Sequence, residues 1–547
     1  MSTLRLFRQD DFTGGLNLRA DQFQLGQNES PRLLNVEIDP RGGVFSRGGM
    51  RRMNTTFAGT WNPKDLFHWE GPTDYLMLTT GFSVSAGKVF QSTGSNFTDT
   101  LIPVSNPYGA YFAPWGDVLY VSTGRGYQCY SWNGTTATAI MASTSGSFGV
   151  PVNQMPTANL ITSHTGKVFV ANTQEDGADY KNRIRWSNEN SPLRWDAADY
   201  IDVNEGGSEI LGIVPFGGQL VILKSDAIFV LYGYNSDTFG ITEITRKVGV
   251  VNPRAYAVSE RALYFFSWPE GLFAYTGEGI VDLFQPIRPI MSGTRVNQGA
   301  ASKIDVSYVN RRVWVSLPYS ETEVATVNKR VFIYDPSLNK RGDGESFSTD
   351  EAFTSTGCWT QFATADGYGV TCGTTYKSTN GSIFHAVAHP EAACVANVDQ
   401  YNQQTDNFTG VELNFETYYR TRWIDGGNYA QKKMFRRPDF VLKQVPTSRD
   451  LTVRVYHDYE EAVGSEQRIF TINLPAAGGG AVWGAPPTGS MTWGTSEWGA
   501  PNEGAFMENG SNLGLAKSVQ MEFVGPTGKS WGLDSFVLKY NPRRVKA

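Results

Sequence analysis

Residues 117–134, DVLYVSTGRGYQCYSWNG, read as two short strands joined by a glycine-centred turn and closed by aromatic residues. The chain repeats this phrase. It returns as YLMLTTGFSVSAGKVFQ at 75–91, KVFVANTQEDGADYKNRIRWSN from 167, QLVILKSDAIFVLYGYN from 219 and ALYFFSWPEGLFAYTGEG from 262. RVWVSLPYSETEVATVNKRVFIYD from 312 and YKSTNGSIFHAVAH from 376 complete a set of seven. The starts lie roughly 43 to 64 residues apart, which brackets a four-stranded propeller blade. A small sheet cannot hide both of its faces, so neighbouring sheets must stack about an axis. Closing the ring then removes the free edges.

The local pattern agrees. Val118 and Tyr120 alternate with Leu119 and Val121, all apolar, as in a strand covered on both faces. Gly124, Gly126 and the pairs Asn133-Gly134 and Asn380-Gly381 punctuate the strands. The composition, with 58 Gly, 26 Pro, 13% aromatic and only 18% charged residues, favours strands and turns over helices. The expected fold is therefore all-β: a β-propeller over 55–400, of six or seven blades because 285–307 is poor in strand signals. An array of β-sandwiches writes the same local text and is the alternative.

At 547 residues the chain should hold two or three domains. After residue 407 the strands lengthen, as in DLTVRVYHDYE, KSVQMEFVG and WGLDSFVLKY, and predict a C-terminal β-sandwich over 408–547. VDQYNQQTDN at 398–407 reads as the linker. Residues 1–54 are rich in Gly, Asn and Arg without a period, and are expected to form an N-terminal arm or docking segment that runs extended over other elements or a partner.

Cys129, Cys358, Cys372 and Cys394 show no CxxC spacing, so free thiols are expected rather than disulfides or a zinc site. The N-terminus has no apolar signal core, and no apolar run approaches the roughly 20 residues of a membrane span. The expectation is a protein made in a cytosol, with no membrane span. Net charge is -6, unevenly spread: residues 1–54 carry 8 basic against 6 acidic side chains and residues 408–547 carry 16 against 14. The middle keeps 23 against 33, a net of -10. That balance argues against a nucleic-acid grip, which needs clustered Lys and Arg.

The N-terminal phrase FTGGLNLRADQFQLGQNESPRLLNVEIDPRGGVFSRGGMRRM resembles the start of many bacteriophage tail and head-completion proteins, with a GG(L/I)N opening followed by N-E-S-P, N-V and R-G-G. The likeness continues through NRIRWSNENSPLRWDAADYIDVNEGGSEILGIVPFGGQLVILKSDAIFVLYG (182–233) and RKVGVVNPRAYAVSERALYFFSWPEGLFAYTG (246–277). The chain resembles the tail nozzle proteins of short-tailed bacteriophages, also called tail tubular protein B. The resemblance implies a structural virion protein, a tail nozzle assembled in the host cytoplasm. It implies a homo-hexameric ring beneath the portal and adaptor proteins, forming the distal DNA-ejection channel, with tail fibres or spikes as further partners. An acidic middle multiplied around a ring repels phosphate, so passing double-stranded DNA would be contacted only weakly.

Three constellations are candidate interaction sites. Arg41, Arg47, Arg51 and Arg52 form the strongest basic feature and suit docking on an acidic neighbour, or else a solvated hairpin at the propeller edge. Lys432, Lys433, Arg436 and Arg437, with Arg543 and Arg544 of KYNPRRVKA, suit subunit or adaptor contacts, or simply solvated loops. Trp483, Trp493 and Trp498 lie in three Trp-Gly pairs and are either interface anchors or indoles folded onto their own sheet.

Catalytic signatures are missing from the text: there is no G-x-S-x-G, Walker A, H-E-x-x-H or EF-hand motif, and no S-x-D-x-G-x-x-W box. His385 and His389 in FHAVAHP sit on a strand pattern, where they stand about 13 Å apart, which favours a structural role over metal binding. No enzyme activity, cofactor or metal is expected. The alternative to a nozzle is a host receptor-binding propeller using the Trp-Gly stretch; a glycan-cleaving enzyme is the weaker third reading.

Overall fold

The repeated phrase is the middle of an antiparallel sheet. The computed structural model describes residues 4–21, 24–83, 85–143, 148, 153–205, 208–292, 295–338, 358–400, 404–443, 449–460, 464–474 and 506–543. In the second sheet, Tyr111–Trp115, Val118–Ser122, Tyr130–Trp132 and Ala137–Ala139 pair in sequence order, so DVLYVSTGRGYQCYSWNG supplies the second and third strands. Leu119, Tyr120 and Val121 are all buried, as expected for a strand with neighbours on both faces. Trp132 lies 5.1 Å from Trp69 and 4.9 Å from Tyr75 of the first sheet, so the aromatics at the strand ends fill the space between sheets.

Seven sheets follow one another in this way and form the β-propeller. Their first strands are Pro63–Glu70, Tyr111–Trp115, Thr157–His164, Gly212–Phe216, Tyr256–Val258, Asp305–Val309 and Cys372–Lys377. The seventh of these lies against the first and closes the ring. The text at 285–307, poor in strand signals, folds as two short 3-10 helices, Arg288–Met291 and Gln298–Lys303, ahead of the sixth sheet.

The seventh sheet breaks the rule. Its own run provides only Cys372–Lys377, Ile383–Ala388 and Val395–Gln400, and the fourth strand is Gly49–Arg52 from the N-terminal segment, with Ala396 opposite Arg52 and Asn397 opposite Arg51. The last phrase, from 376, therefore spans the first and second strands rather than the second and third. Its longer spacing arises earlier, in the stretch between Arg330–Asp335 and Cys358–Phe362 of the sixth sheet. Val395–Gln400 and Thr405–Asn407 flank the inserted strand on either side, so the expected linker is largely sheet.

Apart from the parallel pair Met141–Ala142/Gln154–Met155, the remaining strands form two sheets around a common core. One runs Arg32–Leu34, Tyr418–Arg420, Val519–Val524, Arg449–His457, Arg468–Leu474; the other is built on Gly532–Pro542 with Asp439–Leu442, Phe506–Asn509, Lys433–Phe435 and Gly514–Ala516. Phe523 of the first meets Phe440 at 5.7 Å and Phe536 at 6.1 Å of the second.

The N-terminal segment runs extended over other elements and pairs with them. Arg5–Gln9 pairs with Gly532–Pro542, Arg32–Leu34 with Tyr418–Arg420, and the hairpin Val36–Ile38/Val44–Ser46 with Gly532 and Leu533. Gly15–Leu16 and Glu29–Ser30 extend the sixth sheet. Each short strand covers an edge that would otherwise offer unpaired main-chain groups. Gly15 has φ +62, and a Cβ there would stand 2.5 Å from the Trp359 carbonyl, so only glycine passes so close. Phe12, Leu16, Leu33 and Val36 join the core of the fourth to sixth sheets to that of the C-terminal sheets, and one apolar cluster crosses the expected boundaries.

Candidate functional site

A ring of first strands leaves space along its axis. All seven sheets border one cavity of about 360 Å³ there, within the range of a small-molecule pocket, roughly 300–1,000 Å³, and far too small for duplex DNA. One end of it is braced. Asn252 accepts the Arg254 N–H at 2.7 Å and donates to the Ala301 and Ile304 carbonyls at 3.0 and 2.8 Å, which sets the turn before the fifth sheet. Arg254 then reaches across to the first and second sheets. Its Nε donates to the Tyr108 carbonyl at 2.7 Å, Nη2 to the Ala110 carbonyl at 2.6 Å, and Nη1 pairs with Asp65. Its guanidinium lies 4.0 Å from the Tyr111 ring centroid, and the Tyr111 hydroxyl donates to the Pro253 carbonyl at 2.8 Å. Every guanidinium nitrogen has a partner, so this arginine holds opposed sheets together.

Asp305 stands beside the brace. Burial, and secondarily the charge of Asp65, pushes its carboxyl well above the usual carboxylate range, against the opposing effects of Ser307 and Arg254. The Ser307 hydroxyl donates to it at 2.5 Å and accepts the Gly373 N–H at 2.9 Å. The folded chain thus keeps a proton that the unfolded chain releases above pH ~4. The associated stability is complete below that pH and is lost as pH rises toward the folded value. Asp305→Asn retains an acceptor for Ser307 and cannot ionise. It is expected to leave Tm unchanged at pH 4 and to raise it by about 1–3 °C at pH 8. Calorimetry at both pH values checks this, and an equal shift at the two would contradict it.

The basic residues singled out in the sequence divide by burial. Arg47 is 3% exposed and forks onto fully buried Asp406, with Nη1–Oδ1 at 2.9 Å and Nη2–Oδ2 at 2.6 Å. Its acidic neighbour belongs to the same chain, which removes it from any docking surface. Arg52 donates to the Thr55 carbonyl at 2.6 Å, while Arg41 and Arg51 are exposed. Lys433 is 1% exposed and its ammonium donates to the carbonyls of Asn428, Gln431 and Lys517, so it too is internal; burial lowers its pKa. Lys432, Arg436, Arg437 and Arg543 are exposed. Arg544, Trp483, Trp493 and Trp498 lie outside the described residues.

The fold joins what the sequence separates. Lys433 pairs with Pro542 and Phe435 with Tyr540, and the Arg543 N–H donates to the Lys432 carbonyl at 3.0 Å. Arg436 donates to Asn541 at 2.7 Å. Two basic runs about a hundred residues apart are thereby brought onto neighbouring strands, and exposed Arg5 lies opposite Tyr540 on the other edge of Gly532–Pro542. Sequence reading passed over Arg5, and also over Lys64, Asp65, Arg254 and Asp305 on the axis. The only textual signal there was charged residues just ahead of, or inside, apolar strands, as in NPKDLFHW and VVNPRAY.

His389 is fixed by the main chain of its own turn. His389 Nδ1 accepts the N–H groups of Glu391 and Ala392 at 3.1 and 2.8 Å, and Nε2 is 3.0 Å from Asp366. All four cysteines are free and buried.

These features define an all-β propeller protein with a braced axis and exposed basic residues on its C-terminal sheets. No family model matches the sequence, and a search of curated proteins finds no match. Among solved structures, one described as "YCF48 bound to D1 peptide" is similar over 62% of this chain and 98% of its own, at 12% identity and a TM-score of 0.33. The propeller assignment rests on the seven sheets themselves.

Proposed function

We propose that this chain is a structural virion protein, the tail nozzle of a short-tailed bacteriophage, which assembles as a hexameric ring beneath portal and adaptor and forms the distal part of the DNA-ejection channel. The observation that carries this reading is the ordered resemblance of FTGGLNLR…RGGMRRM, NRIRWSNENSPLRW and RKVGVVNPRAY to that family. These phrases supply residues that hold the fold: Gly15 against Trp359, buried Arg47, fully buried Trp195 and the brace Arg254. A likeness in such residues implies a shared architecture more than a shared ligand site.

With the propeller axis limited to a cavity of about 360 Å³, the conduit in this reading lies between subunits. The acidic middle of the chain would face passing phosphates without gripping them. Lys432, Arg436 and Arg543 are the subunit or adaptor contacts. Light scattering and negative-stain imaging of the purified chain, alone and with portal–adaptor complexes, test the proposal. Rings or a stoichiometric complex are expected, and Lys432→Glu/Arg436→Glu/Arg543→Glu is expected to abolish assembly with Tm changed by less than about 2 °C, since exposed charges contribute little to folding. A chain that neither self-assembles nor binds those complexes is not a nozzle.

A further inference from the structure

Beside the brace, at the same end of the propeller axis, lies a second cavity of about 190 Å³ bordered by Lys64, Lys303, Arg254, Asp305 and Glu391. Its cations are not equivalent. Arg254 is saturated by Asp65 and two carbonyls. Lys64 and Lys303 have no carboxylate within ion-pair distance among the described residues. Lys64 is partly buried and its stem is held in a slot between two glycines: a Cβ at Gly81 would come within 2.7 Å of Lys64 Cε, and one at Gly109 within 2.9 Å of Lys64 Cβ. The fold thus commits an ammonium group to a confined space that already contains positive charge, an arrangement that costs stability unless an anion is taken up.

The geometry points to a binding site for one small oxyanion, a phosphate or carboxylate group, held between the Lys64 and Lys303 ammonium groups at the mouth of the propeller axis. Of the carboxylates bordering the cavity, Asp305 is buried and held toward its neutral form, and Glu391 is exposed on the rim, so neither cancels the pair. Lys64 faces Lys303, Arg254 and Cys372; burial first, then the charges of Lys303 and Arg254, lower its pKa to about 8. An anion therefore binds fully below pH 7 and is released as pH rises through 8.

Titration calorimetry of the whole chain with inorganic phosphate and, separately, succinate tests the site, and the probe that binds more tightly identifies the oxyanion class. One saturable site per chain is expected, weakened at least tenfold between pH 6.5 and 9. Lys64→Met should reduce affinity at least tenfold, and Lys303→Met, at an exposed position that does not burden folding, about three- to tenfold. Thermal melts should show the preferred anion raising Tm of the unmodified chain and not of Lys64→Met. No saturable binding of either probe, or binding that survives both substitutions, would overturn the assignment.

Discussion

Replacing Arg47 by methionine is expected to destabilise the fold by about 3–5 kcal/mol, because it leaves Asp406 charged and buried without its counter-ion. The arginine joins three parts of the chain. Besides Asp406, it donates to Asn35 Oδ1 at 3.1 Å and to the carbonyls of Gly48 and Ala363 at 2.8 and 3.1 Å, and it lies 3.5 Å over the Phe415 ring. Asp406 also accepts the N–H groups of Met50 and Ala365 at 3.0 and 2.8 Å. Asp406→Asn removes the charge but keeps an acceptor, so the double variant Arg47→Met/Asp406→Asn should recover about 2 kcal/mol relative to additive single losses. Urea unfolding of the four chains measures the coupling. Additive losses would mean that the pair acts only through packing.

Deletion of residues 1–54 is expected to abolish the folded chain. Seven strands of this segment enter four sheets, and Phe12, Leu16, Leu33, Val36, Val44 and Met50 are at most 3% exposed. At about 1.5–3 kcal/mol for each buried side chain, their loss amounts to roughly 9–18 kcal/mol as an upper estimate. That equals or exceeds the typical stability of a domain, about 5–15 kcal/mol. A mobile docking arm predicts the opposite: unchanged melting with lost assembly. Soluble yield and the circular-dichroism melt of the truncated chain distinguish the two, and a cooperative melt within about 5 °C of the full chain would restore the arm.

The propeller was legible because each sheet sits between neighbours and must be apolar on both faces, so its text repeats wherever the chain re-enters the ring. The N-terminal weave was not, for a physical reason. Strands of two to five residues are too short to show a period of two, and they are specified by partners hundreds of residues away. Arg47 and Asp406 are 359 residues apart. The basic runs were readable as runs, yet nothing in QKKMFRR distinguishes buried Lys433 from exposed Lys432; only the carbonyls gathered around one ammonium do. The axis behaves likewise, since Arg254 meets Asp65, Tyr108 and Ala110 across 189, 146 and 144 residues.

The borrowed fourth strand of the seventh sheet has a consequence during synthesis. Gly49–Arg52 leaves the ribosome early, but its partner Val395–Gln400 follows some 350 residues later, about 20–70 s at roughly 5–20 residues per second. Arg5–Gln9 waits longer still, for residues 536–540. Throughout that interval Arg5–Gln9 and Gly49–Arg52 lack their partners and stand beside a growing row of sheets, each with an open edge able to capture them wrongly. Its glycine- and arginine-rich composition, which in the finished protein permits close passage and a buried pair, also keeps the waiting segment poorly suited to premature pairing.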